Sequence, residues 1–183
     1  MKATVNKNIE LISIIHYLMN YNDIVGFPLI SDKKNIYTEN IDNYFSAYKN
    51  HDFFNLYKVL IKKDFIFDAP IIFSYNFDFS IQESEANKID YSNFRLSQTD
   101  FYTLLNSLKE FSNNVNYLHF YESQSQMYSE ISRNIQNLMI STNINNELED
   151  FYGYSFGDCE IIVSPLNNGN YGLKIFLNKK QQA

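Results

Sequence analysis

The sequence predicts an α+β fold: a mainly helical bundle over residues 8–152 and a short C-terminal antiparallel β-hairpin over 158–178, within a single domain spanning 1–183. Three observations predict it. Apolar residues recur at helical spacing from Asn8 to Tyr152. Near the end, "DCEIIVSPL" (158–166) and "NYGLKIFLN" (170–178) are β-rich and bounded by turn residues. The "NNG" between them is the kind of sequence that supplies positive φ for a tight turn, which makes Gly169 a turn glycine before it is a ligand-loop glycine.

Taken in order, Asn8 is a good N-cap for "IELISIIHYLMNY". This helix is apolar on nearly every side, with Glu10, Ser13, Tyr17 and Asn20 as a narrow polar stripe, so it should be largely buried. Gly26 and Pro28 break it. Thr38, Ile41, Tyr44, Phe45 and Tyr48 read as a second helix, and Asp52, Leu56, Val59 and Leu60 as a third after a joint at Asn50-His51. Residues 65–81 are open between a strand, from the alternation of Phe77, Phe79 and Ile81, and a buried helix from Ala69. Were it an unpaired edge strand, self-association would follow. "QESEANKIDYSN" is polar and reads as a loop. Ser97 caps a helix from about Thr99 to Phe111, a long pattern with a kink runs from Val115 to Ile140, and a short helix from Asn145 to Tyr152 stops at Gly153.

Composition excludes several function classes. Hydrophobic residues make up 45% and charged residues 20% of the 183, the balance of a globular chain rather than a disordered one. There are 15 Tyr and 16 Phe but no Trp; with abundant Asn, Ile and Lys this matches an AT-rich genome and carries no functional weight. A formal net charge of −6 without a Lys/Arg stripe argues against nucleic acid and against anionic membrane surfaces. No run approaches the length of a membrane-spanning helix, so no membrane insertion is expected. The N-terminal apolar run is interrupted by Glu10, Ser13 and His16 and has no small-residue cleavage site, unlike a signal peptide. The compartment is then the cytoplasm, or the exterior after loss of a separate signal. The one cysteine, Cys159, excludes an internal disulfide and a CxxC knuckle, and reads as an inert thiol.

Candidate chemistry is sparse. His16, His51 and His119 fall on different elements without metal-ligand spacing, and H-E-x-x-H is absent, so no metal site and no catalytic set are expected. His119 and Glu122 form one i,i+3 pair, which suits a structural histidine. The carboxylates Asp64/Asp68, Glu147/Glu149/Asp150 and Asp158/Glu160 read as solvated helix and turn charges. Glu10 stands out because it lies in the most apolar helix, although an exposed glutamate at the positive end of the helix dipole is the simpler expectation. No G-x-S-x-G elbow occurs, and "SPLNNGNYG" (164–172) matches no phosphate loop: no helix start and no Lys-Ser/Thr follow it.

Two end segments and a middle block, in this order, resemble a bacterial family, domain of unknown function 4932. "NKNIELISIIHYLMNYNDI" is similar to its opening N–x–E–L–L–S–I-type helix, and "FGDCEIIVSPLNNGNYG" to its strand and Gly-Asn-Tyr-Gly turn. "IDNYFSAYKNHDFFNLYKVLIKKDFIFDAPIIFS" is similar to its helix–"HP"–helix–"YDA" block, with His51 at the family's histidine and Asp52 in place of the usual proline. The resemblance covers about residues 6–172. It implies kinship with zinc metallopeptidases, whose H-E-x-x-H helix follows this region, while no position here matches those zinc ligands or the catalytic glutamate. The function it implies is a non-catalytic or truncated metallopeptidase-like domain that binds peptide along the C-terminal hairpin, with Asn167, Asn168, Gly169, Asn170 and Tyr171 near the substrate. Zinc would enter only with a downstream H-E-x-x-H segment. Glu10 and His51 are the remaining candidates, structural or functional. The alternative is a protein-interaction or structural domain with no enzymatic activity. Either reading makes a peptide or protein the partner.

Overall fold

The computed structural model describes residues 2–76, 91–153, 155, 160–169 and 171. Among them are nine α-helices and two short strands: β1 (Lys2–Thr4), α1 (Lys7–Leu18), α2 (Tyr21–Val25), α3 (Ile36–Phe45), α4 (Phe53–Lys62), α5 (Ala69–Asn76), α6 (Gln98–Asn114), α7 (Tyr117–Ser123), α8 (Ser125–Ser141), α9 (Ile144–Tyr152) and β2 (Glu160–Ile162). None of these helices is long and apolar enough to cross a membrane.

α1 is the axis of the core. Leu11, Ile12, Ile14 and Ile15 are fully buried, as the apolar circumference of the helix requires. Its cap is Asn6 rather than the expected Asn8: the Asn6 side chain accepts from the amides of Asn8 and Ile9 at 2.9 and 3.2 Å. Asn35 opens α3 through a capping box, in which its side chain accepts from the Thr38 amide while Thr38 Oγ1 accepts from the Asn35 N–H at 2.9 Å. Ser97 caps α6 as expected. The long pattern after Val115 resolves into α7 and α8, because Asn116 turns left-handed at φ 49° and the chain turns again at Gln124. α9 ends at Gly153, φ 74°, a residue without a Cβ where the left-handed cap needs one absent. The open choice at 65–81 falls to helix for Ala69–Asn76; Phe77–Ile81 lie outside the described residues.

The antiparallel hairpin is the main correction. Glu160–Ile162 pairs in parallel with Lys2–Thr4, in the register Lys2↔Glu160, Ala3↔Ile161, Thr4↔Ile162. A hairpin needs only two residues of turn, whereas a parallel pair needs a long crossover, and here the entire helical region supplies it. Turn residues at 167–169 made the local pairing the natural expectation. In the structure those residues instead run beside 28–31: Ser31 N–H donates to Leu166 O at 2.7 Å and Asn168 N–H to Leu29 O at 2.8 Å, around an antiparallel bridge between Ile30 and Asn167. Asn22 holds the other side of this segment with its side-chain amide, donating to Ile30 O at 2.7 Å and accepting from Ile30 N–H at 2.9 Å. The expected second strand, 170–178, falls outside the described residues except for Tyr171.

Candidate functional site

A cavity of about 390 Å³ opens where β2 meets α1 and α5. Five consecutive residues, Glu160 to Ser164, line it, together with Ile9, Ile71 and Tyr75 from the helices and Asn167, Gly169 and Tyr171 from the turn. Alternating side chains of a strand point to opposite faces, so Glu160, Ile161 and Ile162 line one cavity together only when β2 presents its edge; Val163 and Ser164 follow just beyond the strand. Backbone bonding agrees. Val163 N–H donates to Thr4 O at 2.8 Å on the β1 side, and alternation then turns the N–H and C=O of Ile162 to the opposite edge. No described residue hydrogen-bonds to that edge. The far edge of β1 is engaged instead, its Ala3 N–H donating to Gln136 Oε1 at 3.1 Å.

Glu160 stands at this rim, exposed. Its Oε1 accepts from Thr4 Oγ1 at 2.6 Å and its Oε2 from Tyr75 OH at 3.4 Å. Behind the wall lies Glu10. Far from being an exposed helix-start charge, it is 0% exposed, because the first half of the polar stripe, Glu10 and Ser13, is enclosed along with the apolar sides of α1. Its Oε1 accepts from Tyr37 OH at 2.5 Å, and Tyr37 OH in turn lies 2.7 Å from Tyr128 OH. Oε2 has no hydrogen-bond partner of normal geometry, although the Ser164 hydroxyl faces the carboxyl from the cavity wall. Burial pushes the Glu10 pKa up to about 7, against the opposing pull of the Tyr37 and Ser164 hydroxyls. Burial and the nearby carboxyl also drive Tyr37, Tyr117, Tyr121 and Tyr128 upward, so all four stay protonated donors. Tyr117 and Tyr121 direct their hydroxyls to the carbonyls of Lys7 and Val5, at 2.6 and 2.8 Å, and so bind the approach to α1 to α7.

Of the residues expected near substrate, Asn167, Gly169 and Tyr171 line the cavity; Asn168 turns away to the carbonyls of Pro28 and Leu29; Asn170 is outside the described residues. Gly169 does not occupy the left-handed region expected of it, as its absence from the positive-φ glycines Gly26 and Gly153 shows. The reason for a glycine is proximity: a Cβ there would sit 2.5 Å from the Tyr171 hydroxyl oxygen and 2.7 Å from its ring. His51 is remote from the cavity. Its Nδ1 accepts from the Phe53 amide at 3.1 Å and its ring meets Phe111 edge-on at 5.1 Å, a helix cap packed on α6. His16 is buried, stacked on Tyr21 with centroids 3.8 Å apart and bonded through Nε2 to Tyr57 OH at 2.8 Å. Asp64 and Asp68 both pair with Arg95, which accounts for that carboxylate pair structurally. Among the described residues no three of His, Cys, Asp or Glu converge as metal ligands; Cys159 and Asp158 lie outside them. Sequence reasoning missed Tyr75, Ser164 and the distinct position of Glu160. Glu160 enters the sequence reading only as one of the carboxylate pair Asp158/Glu160.

The full chain, residues 1–183, matches the family model described as Domain of unknown function (DUF4932), and the protein belongs to that family. Comparison with curated proteins and with solved structures gives no match.

Proposed function

We propose that this domain binds an extended peptide by strand addition along the outer edge of β2, without cutting it. The observation that carries this reading is the run Glu160–Ser164 lining the cavity edge-on, with the Ile162 backbone groups turned away from β1. Main-chain hydrogen bonds to that edge supply affinity, and the cavity between α1 and α5 receives alternate side chains. The kinship with zinc metallopeptidases that the sequence resemblance implies favours peptide as the ligand class. In this reading the domain positions a chain, and any zinc-dependent cleavage belongs to an H-E-x-x-H segment outside these 183 residues.

Ile162→Pro tests the reading. Proline removes the N–H on the outer edge and leaves the β1 ladder, which uses Val163 N–H, unchanged. With a panel of fluorescein-labelled, Val/Thr-rich octapeptides read by anisotropy, the natural domain gives saturable binding. The variant melts at the same temperature and binds about tenfold more weakly, the loss expected for one or two main-chain hydrogen bonds. Equal binding by both proteins overturns strand addition.

The second reading, a protein-interaction domain without chemistry, draws on exposed apolar side chains of α8 and α9. Leu138 and Ile140 of α8 and Phe151 of α9 are exposed, Phe151 at 79%. Phe151→Ser and Ile140→Ser then abolish capture of a macromolecular partner while leaving octapeptide binding intact; loss of neither removes this reading.

A further inference from the structure

We propose that Glu160 sets the ligand class of the β2 edge: the site takes extended peptides carrying a Lys or Arg two residues away from a branched apolar side chain. This deepens the strand-addition reading and rests on it. Glu160 and Ile162 lie on the same face of β2 because they are two residues apart. A strand added to β2 has the same period, so two of its side chains, also two apart, fall opposite this pair. The one opposite Ile162 meets the apolar part of the cavity, walled by Ile9 and Ile71. The one opposite Glu160 meets a carboxylate.

That carboxylate is held but not neutralised. Both of its bonds come from uncharged hydroxyls, Thr4 Oγ1 and Tyr75 OH, which fix its position and bring no opposing charge. No Lys or Arg of the described residues forms an ion pair with it. Among the described residues that line the cavity the other side chains are uncharged, so Glu160 gives this part of the site its sign. A cationic side chain there gains an oriented partner, and an anionic one meets repulsion. Tyr75 also stands beside the carboxylate and supplies apolar ring surface for the methylene stem of a Lys or Arg.

Three fluorescein-labelled octapeptides, identical except for Lys, Gln or Glu two positions from a central Ile, test this by anisotropy at low and high salt. The natural domain is expected to prefer Lys over Gln by about fivefold, the size of a solvent-accessible ion pair, and Gln over Glu in the same sense. The preference shrinks in 1 M salt, where screening shortens to about 3 Å. Glu160→Lys inverts the order, and Glu160→Gln, which keeps size and hydrogen-bonding shape, levels it; either variant suffices should the other fail to fold. Saturable binding with equal affinity for all three peptides overturns the role of Glu160 and leaves strand addition standing. Binding of none of them overturns both, and a Lys preference that persists in Glu160→Gln assigns the selectivity elsewhere and refutes this inference.

Discussion

Glu10 is a carboxyl held wholly away from water. In the unfolded chain its carboxyl has a pKa near 4.5, and in the folded protein near 7, so the native state binds more protons between those values. Stability contributed by this group is fully present below pH 4.5 and declines as pH rises to about 7. A span of that size corresponds to about 3 kcal/mol at 1.36 kcal/mol per unit. Glu10→Gln retains the acceptor for Tyr37 and removes the charge; chemical denaturation at pH 5 and pH 8 is expected to show that it loses the decline and is the more stable protein at pH 8. A variant less stable than the natural protein at pH 8 means that the carboxylate is compensated by something other than Tyr37 and Ser164.

At the scale of elements, the N-terminus of α4 is capped by a histidine. His51 accepts from the Phe53 amide while Asp52, which directly precedes α4 with helical backbone angles, makes no side-chain capping bond, so the histidine supplies the capping bond. Proline is favoured there because that amide has no intrahelical partner, and Asp52 already sits at φ −58°, close to the fixed angle of the proline ring. Asp52→Pro is expected to be neutral or stabilising by up to about 1 kcal/mol, and His51→Ala to cost about 1 kcal/mol, both read from urea midpoints. A large loss in Asp52→Pro would assign the cap to Asp52 instead. The turn at 167–169 makes a contrasting prediction. Since Gly169 is not left-handed and the clash of an added Cβ is with the movable Tyr171 ring, Gly169→Ala is expected to leave the melting temperature within about 2 °C while displacing Tyr171. Tyr171 fluorescence or its NMR ring signals would report the displacement. A cooperative loss of stability would restore the conformational explanation.

At the scale of the molecule, two buried ionisable groups act against one another. His16 is held neutral by burial, its pKa lowered from 6.5 to about 3, so its contribution to stability rises as pH increases through that window. Glu10 acts in the opposite direction from 4.5 to about 7. Their windows overlap between 4.5 and 6.5, where the two slopes offset each other, and the pair by itself produces a plateau there with a fall below it. Glu10→Gln should therefore turn the plateau into a continuous rise toward neutral pH, measured as melting temperature against pH; a plateau that survives the substitution shows that other groups create it.

Much of the helical architecture was legible because helices are local. The apolar circumference of α1, the Ser97 cap, the Gly153 stop and the joint before α4 are each written in neighbouring residues. The sheet was not legible, because Lys2–Thr4 and Glu160–Ile162 carry no mark of each other and the nearer partner, across a glycine turn, looked sufficient. Burial of Glu10 escaped for the same reason: its enclosure comes from Tyr37 on α3 and Tyr128 on α8, residues whose own periodicity speaks only of their helices. The candidate site divides the same way. Asn167, Gly169 and Tyr171 drew attention through their composition, whereas Tyr75, Ser164 and the edge of β2, unpaired among the described residues, become a cavity only when distant segments meet. By itself, then, the sequence determined a predominantly helical chain with a central apolar helix, since propensity, capping and periodicity act within a few residues. Tertiary structure alone decided strand pairing, the enclosure of the carboxyl and the position of the cavity, since each depends on free energies shared between groups that the chain keeps far apart.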